Sequence, residues 1–183
     1  DIDYAQLFVG FLVLLLSLVS AVTLLGTMAP ARAQAPKYGG VLVTHPLSAT
    51  PSLSPHEEST VATVQQASPC FNNLVYYDPA KKQESVDTLI PELAEKWSWQ
   101  DGHRNLVFFL RRDVRWHDGK PFTSQDVKYT FDMVLGAPDA KAKLKVNPRK
   151  LWFENIDAIE APDPYTVVFR LKRPLPSLLP MLA

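Results

Sequence analysis

Cysteine, glycine and net charge are what this chain has least of. Its 183 residues hold one cysteine, Cys70. No internal disulfide can form, and cysteine gives no indication of redox compartment. Cys70 stands at helical spacing among Val64, Ala67, Phe71 and Leu74, which predicts a buried structural thiol. A catalytic thiol would need a base beside it, and none is evident. Seven glycines stand against sixteen prolines, so rigid loops are expected over flexible linkers. Nineteen basic residues balance nineteen acidic ones, and nothing suggests a nucleic-acid footprint, which would need a basic stripe. There is no fixed-period repeat and no low-complexity tract. The length suits one sizeable domain or two small ones.

Catalytic sets are missing as well. No triad, metal set or pair of carboxylates recommends a hydrolase, and the sequence predicts neither a catalytic residue, a metal nor a cofactor. His117-Asp118 invites an acid–base reading, but Asp118-Gly119 is explained by turn geometry. His56, Glu57 and Glu58 are consecutive and cannot easily converge on one ion, so a solvated loop is expected. Trp97, Trp99, Trp116 and Trp152 are expected to pack a sheet face rather than stack on a ligand. Trp97 and Trp99 share strand parity and should lie on the same face.

One long apolar run is present. Leu7–Leu25 is nineteen residues without a charge, and as a helix carrying Leu7, Phe11, Leu14, Leu18, Val22 and Leu25 it would cross a hydrocarbon core of about 30 Å. Ala31-Arg32-Ala33-Gln34-Ala35 then offers small-x-small cleavage sites after Ala33 and Ala35. Residues 1–35 therefore read as a signal peptide or as an uncleaved transmembrane anchor with its linker. The run exceeds the usual signal core of about 7–15 residues. Asp1-Ile2-Asp3 is acidic where a signal is basic, so a basic leader ahead of it is expected. With no cysteine after the run, a lipoprotein anchor is excluded.

Beyond the Pro- and Ala-rich stretch 29–38, local patterns predict a strand at Val41–Thr44 and a loop at Pro46–Pro55. A helix is expected from Thr60 to Leu74, with Ser59 and Thr60 able to cap it. A short strand should cover Leu74–Tyr77, and a short helix Leu89–Glu95. Two hairpins are expected, one joining Trp97–Gln100 to Asn105–Arg111 across Asp101-Gly102, the other joining Ile156–Ala161 to Tyr165–Lys172 across Asp163-Pro164. Lys141, Lys143, Lys145, Arg149 and Lys150 read as a solvated basic surface rather than an anionic-lipid contact.

The densest stretch is Trp116–Leu135, WHDGKPFTSQDVKYTFDMVL. It reads as a polar turn and then a helix from Ser124 to Leu135, with Thr123 as cap and Asp126 reaching back to it. The acid also suits the positive end of the helix dipole. This phrase resembles the signature of the bacterial extracellular solute-binding proteins of family 5, the dipeptide- and oligopeptide-type receptors of ATP-driven importers. Pro91-Glu92-Leu93-Ala94-Glu95-Lys96-Trp97 and the run from Leu106 to Gly119 resemble further phrases of that family. So do Ile156–Glu160, Tyr165–Leu171 and Pro174. Leu53-Ser54-Pro55-His56 resembles the family's early Leu-Asp-Pro-His loop, with Ser54 in place of the usual Asp. The phrases occur in the family's order from about Gly39 onward.

The resemblance implies an α/β chain that is the N-terminal part of a two-lobed periplasmic-binding-protein fold of type II, preceded by one apolar transmembrane or signal helix. Residues 36–80 would start lobe I, and 81–183 would form its strand-rich subdomain, truncated before the second lobe. The apolar ending Met181-Leu182-Ala183 agrees with truncation. The implied function is non-catalytic capture of a peptide or other small solute by lobe closure, in the periplasm, for the membrane subunits of an ABC importer. Nickel chelates, sugars and opines are also bound by relatives. By position, Ser59, Thr60 and Val61 would line the cleft, and the alternative for Ser59 and Thr60 is helix capping. A competing reading is a single-pass accessory subunit of a larger inner-membrane complex, held among other subunits through residues 7–25, with the binding-protein portion a passenger.

Overall fold

The computed structural model describes residues 39–183, apart from 42, 44, 46, 47 and 51. Leu7–Leu25, including Leu7, Phe11, Leu14, Leu18, Val22 and Leu25, lies outside the described residues. Among those described, no helix is long and apolar enough to cross a membrane. The chain divides into two units, Asp1–Val43 and Thr44–Ala183, and the helices and strands that follow belong to the second. In the first, Val41 and Val43 are irregular rather than in the expected strand.

The elements in chain order are α1 (Val61–Ala67), β1 (Val75–Tyr77), β2 (Leu89–Pro91), β3 (Ala94–Gln100), β4 (Asn105–Leu110), α2 (Ser124–Leu135), α3 (Lys150–Phe153), β5 (Ile156–Asp163) and β6 (Thr166–Leu171). Short 3₁₀ turns lie at Ser68–Cys70, Val86–Thr88 and Pro176–Leu182. β3, β4, β6 and β5 form one antiparallel sheet in that spatial order, and β1 pairs with β2 separately.

Alternation along the central strands sorts the core. Leu106, Phe108 and Leu110 of β4 and Val167, Phe169 and Leu171 of β6 are buried, each set sharing one face as the two-residue period requires. Trp97 and Trp99 pair across to Phe108 and Leu106, which puts both on that face, as parity predicts. Their rings pack against the core cluster. Trp116 and Trp152 depart from the expectation. They are about half exposed, Trp116 edge-on to Phe122 and Trp152 beneath Arg149.

α2 covers this face through Val127, Phe131 and Val134. Phe131 meets Phe169 and Phe153 edge-to-face, at centroid distances of 4.9 and 5.4 Å. The helix begins as its sequence predicts. The Asp126 carboxylate accepts from the Thr123 N–H at 2.7 Å and from its hydroxyl at 3.1 Å. It ends at Gly136, whose φ of +69° is costless without a Cβ. Ser124 docks the helix onto the β5–β6 turn, its N–H donating to Pro164 O at 2.8 Å and its hydroxyl to Asp163 O at 2.5 Å.

Two helix expectations are corrected. The helix expected from Thr60 to Leu74 stops at Ala67, because Pro69 lacks the N–H that would continue the ladder. The break turns Cys70 outward, and it is exposed rather than buried. The helix expected at Leu89–Glu95 is extended chain. Pro91 disfavours helical geometry at Ile90, and the neighbouring backbone is recruited elsewhere: Leu89–Pro91 pairs with β1, and Leu93 and Ala94 donate to Asn73 O and Leu74 O at 3.1 and 2.9 Å. Both expected hairpins form. The first is joined by four residues, 101–104, rather than two, with positive φ at Asp101, Gly102 and His103.

Candidate functional site

Ser59, Thr60 and Val61 lie where the irregular segment 52–60 enters α1, and all three are exposed. Thr60 is the N-cap, its hydroxyl accepting from the Thr63 N–H at 3.4 Å. The centre of the segment is Thr63, which is fully buried. Its hydroxyl donates to Ser52 O at 3.1 Å, accepts from the Thr60 hydroxyl at 3.2 Å and lies 2.5 Å from Thr50 Oγ1. Threonine is placed here for a physical reason. A buried hydroxyl needs partners, and this one knots the loop before α1 to the helix's first turn.

The same segment is gripped from far along the chain. Arg149 Nε donates to Pro55 O at 2.8 Å, and its Nη2 to Glu58 O at 3.5 Å. The guanidinium sits over the Trp152 ring, 5.3 Å from the centroid. The Lys145 N–H donates to Glu57 Oε1 at 2.7 Å. Asn147 Nδ2 donates to Val134 O at 2.6 Å, tying this stretch to the end of α2. The basic segment is thus not wholly a solvated surface, because Arg149 is partly buried with main-chain partners. His56-Glu57-Glu58 is not a free loop either, being docked through Glu57 and through the carbonyl of Glu58.

Sequence reasoning singled out Ser59, Thr60 and Val61 by position. Thr63 had a faint signal, being three residues after a capping threonine. Arg149 had none, since its partners lie 91 and 94 residues away. His117 stands in the exposed turn closed by Gly119 N–H to Trp116 O at 2.9 Å. Among the described residues, no three His, Cys, Asp or Glu side chains cluster as metal ligands. An open groove lined by Lys81, Lys82, Gln83, Glu84, Ser85 and Thr88 shares no residue with the Ser59 segment.

The pKa of His56 is lowered from 6.5 by burial and, secondarily, by the positive charge of Arg149. Docking of the loop therefore favours the neutral imidazole. The released loop binds a proton at higher pH than the docked one, so docking is fully stable above pH 6.5 and weakens as pH falls from there through the depressed value. Limited proteolysis at pH 7.5 and 5.5 should show faster cleavage within residues 52–58 at the lower pH. His56→Gln should abolish the difference, and equal rates in the parent protein would refute the coupling.

Residues 88–183, just over half of the chain, match the family model described as "Bacterial extracellular solute-binding proteins, family 5 Middle". A dipeptide-binding protein of Escherichia coli (strain K12) is 31% identical over 138 residues, covering 68% of this chain and 25% of that protein. A Brucella abortus (strain 2308) protein, provisionally named an ABC transporter peptide-binding protein, is 35% identical over 112 residues, 61% of this chain and 19% of its own length. Among solved structures, MoaA from A. tumefacien R10 in complex with mannopinic acid matches with a TM-score of 0.61 and 29% identity, over 72% of this chain and 25% of that one. The chain spans about a fifth to a quarter of the length of these relatives. Its mixed α/β architecture is that of part of a periplasmic-binding-protein fold.

Proposed function

The chain belongs to the family 5 bacterial extracellular solute-binding proteins, and from that premise we propose that its protein is a periplasmic receptor of an ABC importer. It captures a solute, with peptide the first candidate, by closure of two lobes and without chemistry. The observation that carries this reading is the family match over residues 88–183, joined by two relatives named for peptide binding. Capture of this kind needs a cleft, backbone hydrogen-bonding groups and a hinge rather than a nucleophile. Within this chain Ser59, Thr60 and Val61 are the residues offered to the ligand. They are exposed on a segment whose geometry is held from behind by Thr63 and Arg149. The capping role of Thr60 leaves its methyl group and the neighbouring backbone available.

The solute class is the finer question, since MoaA was solved with mannopinic acid. The test is a thermal-shift screen of the full-length protein against di- to pentapeptides, opines, sugars and nickel chelates. A saturating ligand raises the melting temperature by mass action, worth about 2.7 kcal/mol at 100 times Kd. A rise with at least one peptide is expected, and a flat response across the whole set would sink the receptor reading.

A second reading keeps the protein in the membrane as a single-pass accessory subunit of a larger inner-membrane complex, with the binding portion a passenger. The uncharged run Leu7–Leu25 favours it, being longer than a usual signal core. Mass spectrometry of the native protein separates the two: a mature N-terminus at Gln34 or Pro36 excludes the anchor.

A further inference from the structure

Resting on the reading of Ser59–Val61 as a ligand-facing segment, we infer that Arg149 is its positioning residue: a latch that fixes the segment by gripping the carbonyls of Pro55 and Glu58. An arginine's strongest contact is a bidentate pair with a carboxylate, and the hydrogen-bond partners of Arg149 are of another kind. Arg149 instead gives its guanidinium to two main-chain carbonyls, at 2.8 and 3.5 Å. It is braced against the Trp152 ring, 5.3 Å away. Contacts of this kind define a backbone path and are indifferent to the side chains along it.

The carbonyl of Glu58 is the last one before Ser59, so the latch closes on the peptide that leads directly into the proposed site. Lys145 N–H to Glu57 Oε1 at 2.7 Å is a second grip. Asn147 fastens the latch to the C-terminal end of α2 at 2.6 Å. Hydrogen bonds thus connect the end of α2, through Asn147 and Arg149, to the residues that lead into α1. The other hydrogen bonds of the segment among the described residues are local. They run from Glu58 N–H to Ser54 O at 3.2 Å and through the Thr50, Ser52, Thr60 and Thr63 cluster. Local bonds give the loop a shape, while Arg149 and Lys145 anchor it to the sheet subdomain.

A loosened latch lowers the fraction of receptor in the binding-competent form, and apparent affinity falls by that same fraction. The loss should lie in the association rate, with dissociation of bound solute little changed.

The experiment compares the full-length protein with Arg149→Ala and with Lys150→Ala, a control that removes the adjacent charge. Hydrogen exchange without solute is read across residues 54–61, where Ser54 and Glu58 carry the hydrogen-bonded amides and Pro55 has none, and at the amides of β4 and β6. We expect roughly tenfold faster exchange at 54–61 in Arg149→Ala, unchanged protection in β4 and β6, and no change in Lys150→Ala. Unchanged exchange at 54–61 overturns the latch, and so does an equal effect of Lys150→Ala. With the peptide giving the largest thermal shift in the screen, stopped-flow binding should show a similar fold loss in association rate at constant dissociation rate. Local loosening without any loss of affinity overturns the positioning role. If no solute binds the parent protein, the receptor reading fails by itself, and the exchange data still decide whether the latch exists.

Discussion

Replacing Phe169 by alanine is expected to destabilise the strand-rich part of the protein by about 3–5 kcal/mol. Phe169 is fully buried on β6, with its ring edge-to-face against Phe108 of the neighbouring strand and Phe131 of α2, at 5.5 and 4.9 Å. Among the described residues, no other ring on the sheet pairs with rings on both a neighbouring strand and the covering helix. Truncation removes transfer free energy and leaves a cavity that the sheet, paired on both sides of β6, cannot collapse to fill. Denaturant titration of the full-length protein with hydrogen exchange at Leu106 and Val167 measures the loss where it occurs. Phe169→Leu keeps much of the apolar volume and should cost distinctly less. An alanine variant within about 1 kcal/mol of the parent would show that this aromatic cluster is not the centre of the core.

Thr63→Val should cost about 1–3 kcal/mol, although it preserves shape. The side chain is fully buried. The substitution deprives Ser52 O, the Thr60 hydroxyl and the Thr50 hydroxyl of a common partner at a buried position, where a valine side chain offers no hydrogen bond in its place. The effect should be local, with faster exchange at residues 52–64 and little change in β4 and β6. That pattern distinguishes it from Phe169→Ala, which loosens the sheet first. Thr60→Ala, which removes the cap and one hydroxyl of the cluster, should cost about 0.5–2 kcal/mol. If Thr63→Val proves as stable as the parent, the hydroxyl cluster contributes no net stability, and the order of the site segment rests on Arg149 and Lys145.

The parts of the fold legible in sequence share a physical trait: their causes lie within a few residues. The α2 boundaries follow from Thr123, Asp126 and Gly136, which act on backbone groups one turn away. The β3–β4 and β5–β6 hairpins follow from turn residues between alternating apolar runs. Failures arose where a local signal met a competing one. Apolar spacing suggested a helix through Cys70, but Pro69 removed a donor. The Leu89–Glu95 stretch had helical composition, but β1 offered its backbone a partner.

The candidate site divides in the same way. Ser59, Thr60 and Val61 were named from the sequence through the Leu-Ser-Pro-His phrase before them, and the N-cap is where a threonine ahead of a short helix should place it. What holds that segment was not legible. Thr63 is important because burial leaves its hydroxyl only protein partners, and burial is a property of the assembled chain. Arg149 reads in sequence as one cation in a basic run.

By itself, then, the sequence determined the family phrases, the helix cap, the two hairpins and the apolar faces that meet in the core, because each depends on near neighbours or on the period of side-chain direction. Only the tertiary structure decided that Leu89–Pro91 pairs with β1 and that Arg149 closes on Pro55 and Glu58. Those outcomes depend on which distant groups remain unpaired once the chain has folded, and hydrogen-bond demand of that kind has no signature in the order of residues.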